Sequence, residues 1–190
     1  HLARGIGVVG DHRLAPGQGE GAGGINASRV RLRRHRDDFR LVAHGEGLVE
    51  GAGGVFTAGN DLDDFVNNPP GDLAAPVFQF MLKLAAFAKP VVAAVEGLAI
   101  GIGTTLLLHC DLIYAAQDAR FSLPFVNLGL VPEAGSSLLL ARAASHPRAA
   151  EKLLLGDVFN CQEAEALGLL TRAVPAADVL ATARAQASRL

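Results

Sequence analysis

A lone carboxylate, Glu133, follows Pro132 in a loop otherwise built from apolar and small residues, among them Phe125, Leu128, Leu130, Val131 and Ala134. A carboxylate in a dry, apolar setting is a proton carrier, because loss of hydration raises its pKa toward the working range. Upstream lie two glycine-rich turns, Gly53-Gly54-Val55-Phe56-Thr57-Ala58-Gly59-Asn60-Asp61-Leu62 and Gly97-Leu98-Ala99-Ile100-Gly101-Ile102-Gly103. The second runs into an apolar helical stretch, where the opening N–H groups have no intrahelical acceptor and can hold charge developing on an oxygen. An anion cradle plus an isolated base is what proton transfer beside a carbonyl requires. Taken by themselves, the glycines read more simply as ordinary turn chemistry, and Glu133 as an acid favouring the helix dipole ahead of Ser136.

Other candidates carry less. His109-Cys110-Asp111 sets nucleophile chemistry in a row, but adjacent helical residues point different ways and cannot form a triad. Cys110 reads as core and Asp111 as the residue fixing a helix-to-strand turn. Asp61, Asp63 and Asp64 have no histidine at ligand spacing, so no metal is expected, and Asp61 reads as a cap for the turn carrying Asn60. Thr104 and Thr105 can bond back along their helix. Asp72 and Asn160 read as turn or cap residues.

The elements that must position these residues follow from periodicity. Val55-Phe56 ends a strand, and Leu73 to Phe87 has helical spacing, with Pro90 beyond its end. Val91 to Val95 is continuously apolar and β-branched, as a strand covered on both faces should be. A buried helix is expected over Thr104 to Cys110, then strands at Leu112 to Ala115 and Phe121 to Leu123. Further helices are expected at Ser136 to Ala144, Arg148 to Leu155 and Gln162 to Leu167, the last ended by Gly168. A strand over Leu170 to Val174 and a helix over Ala176 to Leu190 close the chain. The repeated order argues for an α/β fold of β-β-α units.

The two glycine motifs, the block from Lys89 through Pro175 and its Pro-Glu loop together resemble the crotonase superfamily of enoyl-CoA hydratases and isomerases. Cys110-Asp111-Leu112, Ala119-Arg120-Phe121 and Ala164-Glu165-Ala166-Leu167-Gly168-Leu169 belong to the same match, which runs from near Gly51 to the C-terminus. The resemblance implies a spiral of β-β-α repeats in place of a doubly wound sheet. It implies an oxyanion hole made by the backbone N–H groups of Asn60 and Ile102. Ile102 is tolerable there if its φ stays negative. It implies a CoA thioester substrate with no separate cofactor. The adenine would lie near Thr57 to Leu62 and the pantetheine between the two turns. Thr57, Ala58, Asp61, Leu62, Gly101, Gly103, Phe125 and Pro132 are then the substrate-binding positions.

Within that family the hydratases carry two glutamates, at positions that match Thr105 and Phe125 here. Neither is acidic. Ser122-Leu123-Pro124-Phe125 followed by Pro132-Glu133-Ala134-Gly135-Ser136-Ser137 resembles the peroxisomal Δ3,Δ2-enoyl-CoA isomerases, which place their single catalytic glutamate at Glu133. Physical chemistry agrees with that assignment. Hydration needs a water activated on one side and an acid on the other. Shifting a double bond needs one base that removes a proton and returns it elsewhere. The expectation is an enoyl-CoA isomerase; the alternatives are a hydratase and a non-catalytic acyl-CoA or RNA binder.

At 190 residues and 50% hydrophobic, the chain is sized for one domain with a sizeable core. Residues 1–48 are rich in Gly, Arg and His, match the family poorly and show little helix or strand spacing; 49–175 form the expected spiral core. Residues 176–190 read as the start of a C-terminal helical region shorter than the family's. Such a region would build a homotrimer or a dimer of trimers. Arg29, Arg31, Arg33, Arg34, Arg36 and Arg40 form a basic cluster with one aromatic, Phe39. Stacking platforms need more, and a formal charge of −2 adds no general attraction to nucleic acid. No apolar run reaches the roughly 18 residues of a membrane helix. Two cysteines make no secreted-type disulfide framework, and no signal peptide is evident, so a reducing cytoplasm is the expected compartment.

Overall fold

The computed structural model describes residues 7–9, 30–33, 38–44, 46–51, 53–60, 62–67 and 69–190. Its strands are β1 (Gly7–Val9), β2 (Val30–Arg33), β3 (Asp38–His44), β4 (Glu46–Glu50), β5 (Val91–Val95), β6 (Leu98–Ile100), β7 (Leu112–Ala116), β8 (Arg120–Ser122), β9 (Phe159–Asn160) and β10 (Arg172–Val174). The helices are α1 (Leu62–Asn67), α2 (Pro76–Ala85), α3 (Ile102–Thr105), α4 (Ser136–Ala143), α5 (His146–Leu155), α6 (Cys161–Ala166) and α7 (Val179–Ala187). Short 3-10 turns follow α3 (Leu106–His109), precede α7 (Ala176–Asp178) and lie at Val126–Leu128.

The main sheet runs in the order β1-β2-β3-β4-β5-β7-β10, antiparallel up to β4 and parallel from there on. A second sheet has the order β6-β8-β9. Every residue of β5 is buried, which explains its unbroken run of Val and Ala. Each such buried Val contributes about 1.5–3 kcal/mol relative to exposure. On this sheet α7 packs across β4, β5 and β7. It does so with Val179, Ala183 and Ala187, a buried stripe of mostly small residues spaced one turn apart.

In the two central repeats a main-sheet strand (β5, β7) turns a sharp corner into a short strand of the second sheet (β6, β8) before the next helical segment, and after β4 the same place is taken by the isolated bridge at Thr57. The corners stack. The Phe56 amide donates to the Glu96 carbonyl (2.7 Å), and the Arg120 amide to the Gly97 carbonyl (2.8 Å). Gly97 has φ 62°, and a Cβ there would sit 2.2 Å from the Gly54 carbonyl oxygen. No other residue fits that corner. This is the crotonase-type spiral that the resemblance implied.

Departures from the sequence reading have local causes. The N-terminal segment, read as lacking strand spacing, supplies β1 to β3 and most of β4. Its period-two pattern of Val30, Leu32, Phe39, Leu41 and Ala43 is masked by the Gly and Arg around it. The register pairs Leu32 with Phe39 and Leu41 with Val49. Of the basic cluster, Arg31, Arg33 and Arg40 lie within paired strands, with Arg31 opposite Arg40, while Arg29, Arg34 and Arg36 fall outside the described residues. Helix α2 begins at Pro76, not Leu73, because Asp72 closes a turn first. Its Oδ1 accepts the Ala74 amide (2.9 Å) and its carbonyl accepts the Ala75 amide (3.1 Å). Helix α6 starts with a capping box between Asn160 and Glu163. The last element is a 3-10 turn followed by α7, not one continuous helix. No described helix is long and apolar enough to cross a membrane.

Candidate active site

The two glycine turns run side by side. Thr57 forms a parallel bridge with Ala99; its amide donates to Leu98 (2.8 Å) and its carbonyl accepts the Ile100 amide (3.0 Å). In that register Asn60 corresponds to Ile102. Gly103 is needed for the close approach, since a Cβ there would lie 2.4 Å from Thr57 Cγ2. Thr57 is buried and its Oγ1 accepts the Gly59 amide (3.2 Å). Gly59 has φ 93°, which turns the chain away after it. Ala58, between them, is exposed.

Helix α3 begins immediately after the second turn. Gly101 is its N-cap with φ 57° and ψ −117°, a conformation essentially restricted to glycine. The Gly101 carbonyl accepts both the Thr104 and Thr105 amides. Ile102 and Gly103 are thus the first two helical residues, whose N–H groups have no intrahelical acceptor. Ile102 opens α3 and lies outside the left-handed region, as its assigned role demands; Ala134 is the one non-glycine in that region among the described residues. Among those residues, the Asn60 and Ile102 amides have no hydrogen-bond partner.

Glu133 is brought to this helix. The Thr105 hydroxyl, fully buried, donates to Glu133 Oε1 at 2.6 Å. The same hydroxyl lies 3.4 Å from the Ile102 carbonyl; with one proton to give, it goes to the nearer acceptor. Glu133 Oε2 is buried with no protein partner among the described residues. Burial raises the Glu133 pKa above the ordinary glutamate range, and the Thr105 hydrogen bond partly opposes the rise. The carboxylate is therefore held at one oxygen, and its other oxygen is buried without a partner among the described residues.

The loop around it is tied as well. The Ser136 hydroxyl (2.7 Å) and amide (3.0 Å) donate to the Glu133 carbonyl, and His109 Nε2 lies 2.8 Å from the Ala134 carbonyl. Phe125 is buried and Pro132 half-buried. The expected apolar wall forms only in part, because Leu128, Leu130 and Val131 are 45%, 38% and 83% exposed. Leu128 ends the 3-10 turn and Leu130 and Val131 follow it over the surface, while Phe125 turns into the core. Asp61 lies outside the described residues, and Leu62 opens α1. Two residues that matter here were not expected. By sequence Thr105 suggests only a bond back along its helix, which its 3.4 Å contact with the Ile102 carbonyl meets in part, and His109 only an unproductive row. The one available signal for Thr105 was its match to a hydratase glutamate position.

The neighbouring reactive-looking groups are held inert. Burial and the adjacent Asp111 push the Cys110 thiol up to about 12, so it stays protonated at neutral pH. Asp111 accepts the Val91 amide and donates its own amide to the Val91 carbonyl, both at 2.8 Å. That clamp sets the start of β5 beside β7.

Residues 42–190 match the family described as enoyl-CoA hydratase/isomerase. The chain belongs to that family. The solved structure of OdaA from Pseudomonas aeruginosa is 52% identical with a TM-score of 0.72, over 75% of this chain and 58% of that one. A probable enoyl-CoA hydratase of Mycobacterium bovis is 38% identical over 75% of this chain and 56% of its own length. Enoyl-CoA delta isomerase 2 from Homo sapiens is 36% identical, covering 67% of this chain and 34% of that protein. The chain thus spans little more than half the length of most curated relatives it matches, and both hydratase and isomerase names occur among them.

Proposed function

We propose that this chain is an enoyl-CoA isomerase, moving the double bond of a 3-enoyl-CoA to position 2. The observation that carries the reading is the asymmetry of Glu133: Oε1 receives the Thr105 hydroxyl, while buried Oε2 has no partner among the described residues. On this reading Oε2 removes a proton from C2 of the acyl chain. The C2–H electron pair delocalises onto the thioester oxygen, which the Asn60 and Ile102 amides stabilise as a dienolate. The same oxygen then delivers the proton to C4, and the double bond settles between C2 and C3. Nothing is oxidised and no cofactor enters. A base with a raised pKa suits both halves, since it must take the proton and then give it back.

The positions that would supply a hydratase's acids favour the same conclusion. Thr105 has spent its proton on Glu133, and Phe125 is buried and apolar. No second carboxylic acid stands at either place to activate water. The test is purified protein with 3-hexenoyl-CoA, comparing wild type with Glu133→Gln. The variant should lose about 10²–10⁴-fold in kcat, the usual worth of a general base. Full activity in the variant refutes the reading, and efficient hydration of crotonyl-CoA by wild type favours the hydratase instead.

A further inference from the structure

We propose that His109 is a positioning residue that aims the Glu133 carboxylate by holding the carbonyl of the next residue. The inference rests on Glu133 being the base. His109 closes the 3-10 turn that continues α3, one helical turn beyond Thr105. From one continuous helical segment, Thr105 grips the Glu133 side chain and His109 grips the backbone that follows it. A carbonyl only accepts hydrogen bonds, so the 2.8 Å contact requires the proton on Nε2. With Nε2–H so engaged, that nitrogen is neither a base nor a free metal ligand.

The backbone here needs such a tie. Ala134 has φ 51° and Gly135 has φ 67°, two successive left-handed residues. A left-handed alanine is strained and persists only where its surroundings over-determine it. Ser136 fixes the Glu133 carbonyl from the C-terminal side, and His109 fixes the Ala134 carbonyl from the helix side. With Thr105 on Oε1, three of the four acceptor oxygens in Glu133 and Ala134 are held. The fourth is Oε2. A swing of the Ala134 peptide would turn the Glu133 side chain relative to substrate, and misplacement by about 1 Å can cost 10²-fold in rate.

The experiment compares His109→Leu, which keeps bulk without a donor, with His109→Gln, whose amide N–H₂ reaches the Nε2 position. Each is made alone and with Glu133→Gln, and kcat and KM are measured on 3-hexenoyl-CoA. His109→Leu should lower kcat by about 10- to 100-fold with KM nearly unchanged, and His109→Gln should restore most of the loss. In the Glu133→Gln background, His109→Leu should cost nothing further, because there is no base left to aim. Equal losses in both backgrounds, or no loss in either, overturn the proposal. Should His109→Leu fail to fold, imidazole ¹⁵N NMR of the wild type decides instead. The Nε2–H form is expected at pH 8, and the Nδ1–H form overturns it. Full activity of Glu133→Gln alone is a separate outcome, which refutes the base and not the hydrogen bond.

Discussion

Replacing Thr105 with valine removes one hydroxyl and little volume, so its effect isolates the 2.6 Å hydrogen bond to Glu133 Oε1. A hydrogen bond to a charged group is worth about 1.5–3 kcal/mol. Here it favours the ionised form of Glu133, against a larger opposing effect of burial. Without it both carboxylate oxygens lack a donor, and ionisation becomes harder by that amount. Since 1.36 kcal/mol corresponds to one pH unit, the acid limb of kcat/KM should move upward by about one to two pH units. The assay is the pH profile of 3-enoyl-CoA isomerisation for wild type, Thr105→Val and Thr105→Ser. The serine variant keeps the donor and should track the wild type. At high pH the valine variant should recover much of its rate, because the base can still be ionised there. Superimposable acid limbs for wild type and Thr105→Val would show that the Thr105 hydroxyl does not assist ionisation of Glu133.

Other expectations follow from the same geometry. Glu133 has a folded pKa above its unfolded one, so its protonated form favours the fold. That contribution is full below the unfolded pKa and is lost as pH rises through the folded value. Glu133→Gln should therefore be more stable than wild type at pH 8, on the order of 1 kcal/mol, with the gain shrinking toward acid pH in thermal denaturation. Gly103→Ala puts a methyl 2.4 Å from Thr57 Cγ2 and should cost about 1–3 kcal/mol. Adding Thr57→Ser should return part of it in a double-mutant cycle, whereas strict additivity contradicts the packing described. Ile102→Pro places proline at the first position of α3, which helices tolerate, while deleting the donor; kcat should fall about 10²–10³-fold, with Ile102→Val close to wild type.

The spiral core was readable because its signals are local. A continuous Val/Ala run marks a doubly covered strand, and the glycines at Gly97, Gly101 and Gly103 mark places where backbone conformation or close approach excludes a side chain. Glu133 stood out because it is alone in its loop. What escaped depends on contacts between distant residues. Thr105 and Glu133 are 28 positions apart, and nothing in either segment announces that a hydroxyl and a carboxylate meet. His109 bonds to a carbonyl, which every residue has, so its partner leaves no mark in the sequence. The exposure of Leu128, Leu130 and Val131 escaped for a related reason. Apolar type records what a residue prefers, while the path of the loop decides what it meets. The strands β2 and β3 were hidden by composition, because their alternation is short and set among arginines.

The most direct measurement is a structure of the protein bound to a non-reactive 3-enoyl-CoA analogue. The thioester oxygen should lie about 2.7–3.1 Å from both the Asn60 and Ile102 amides, with Glu133 Oε2 within about 3–3.5 Å of C2 and facing the same side of the chain as C4. An analogue whose thioester oxygen binds away from those amides, or whose C2 and C4 lie out of reach of Oε2, contradicts it.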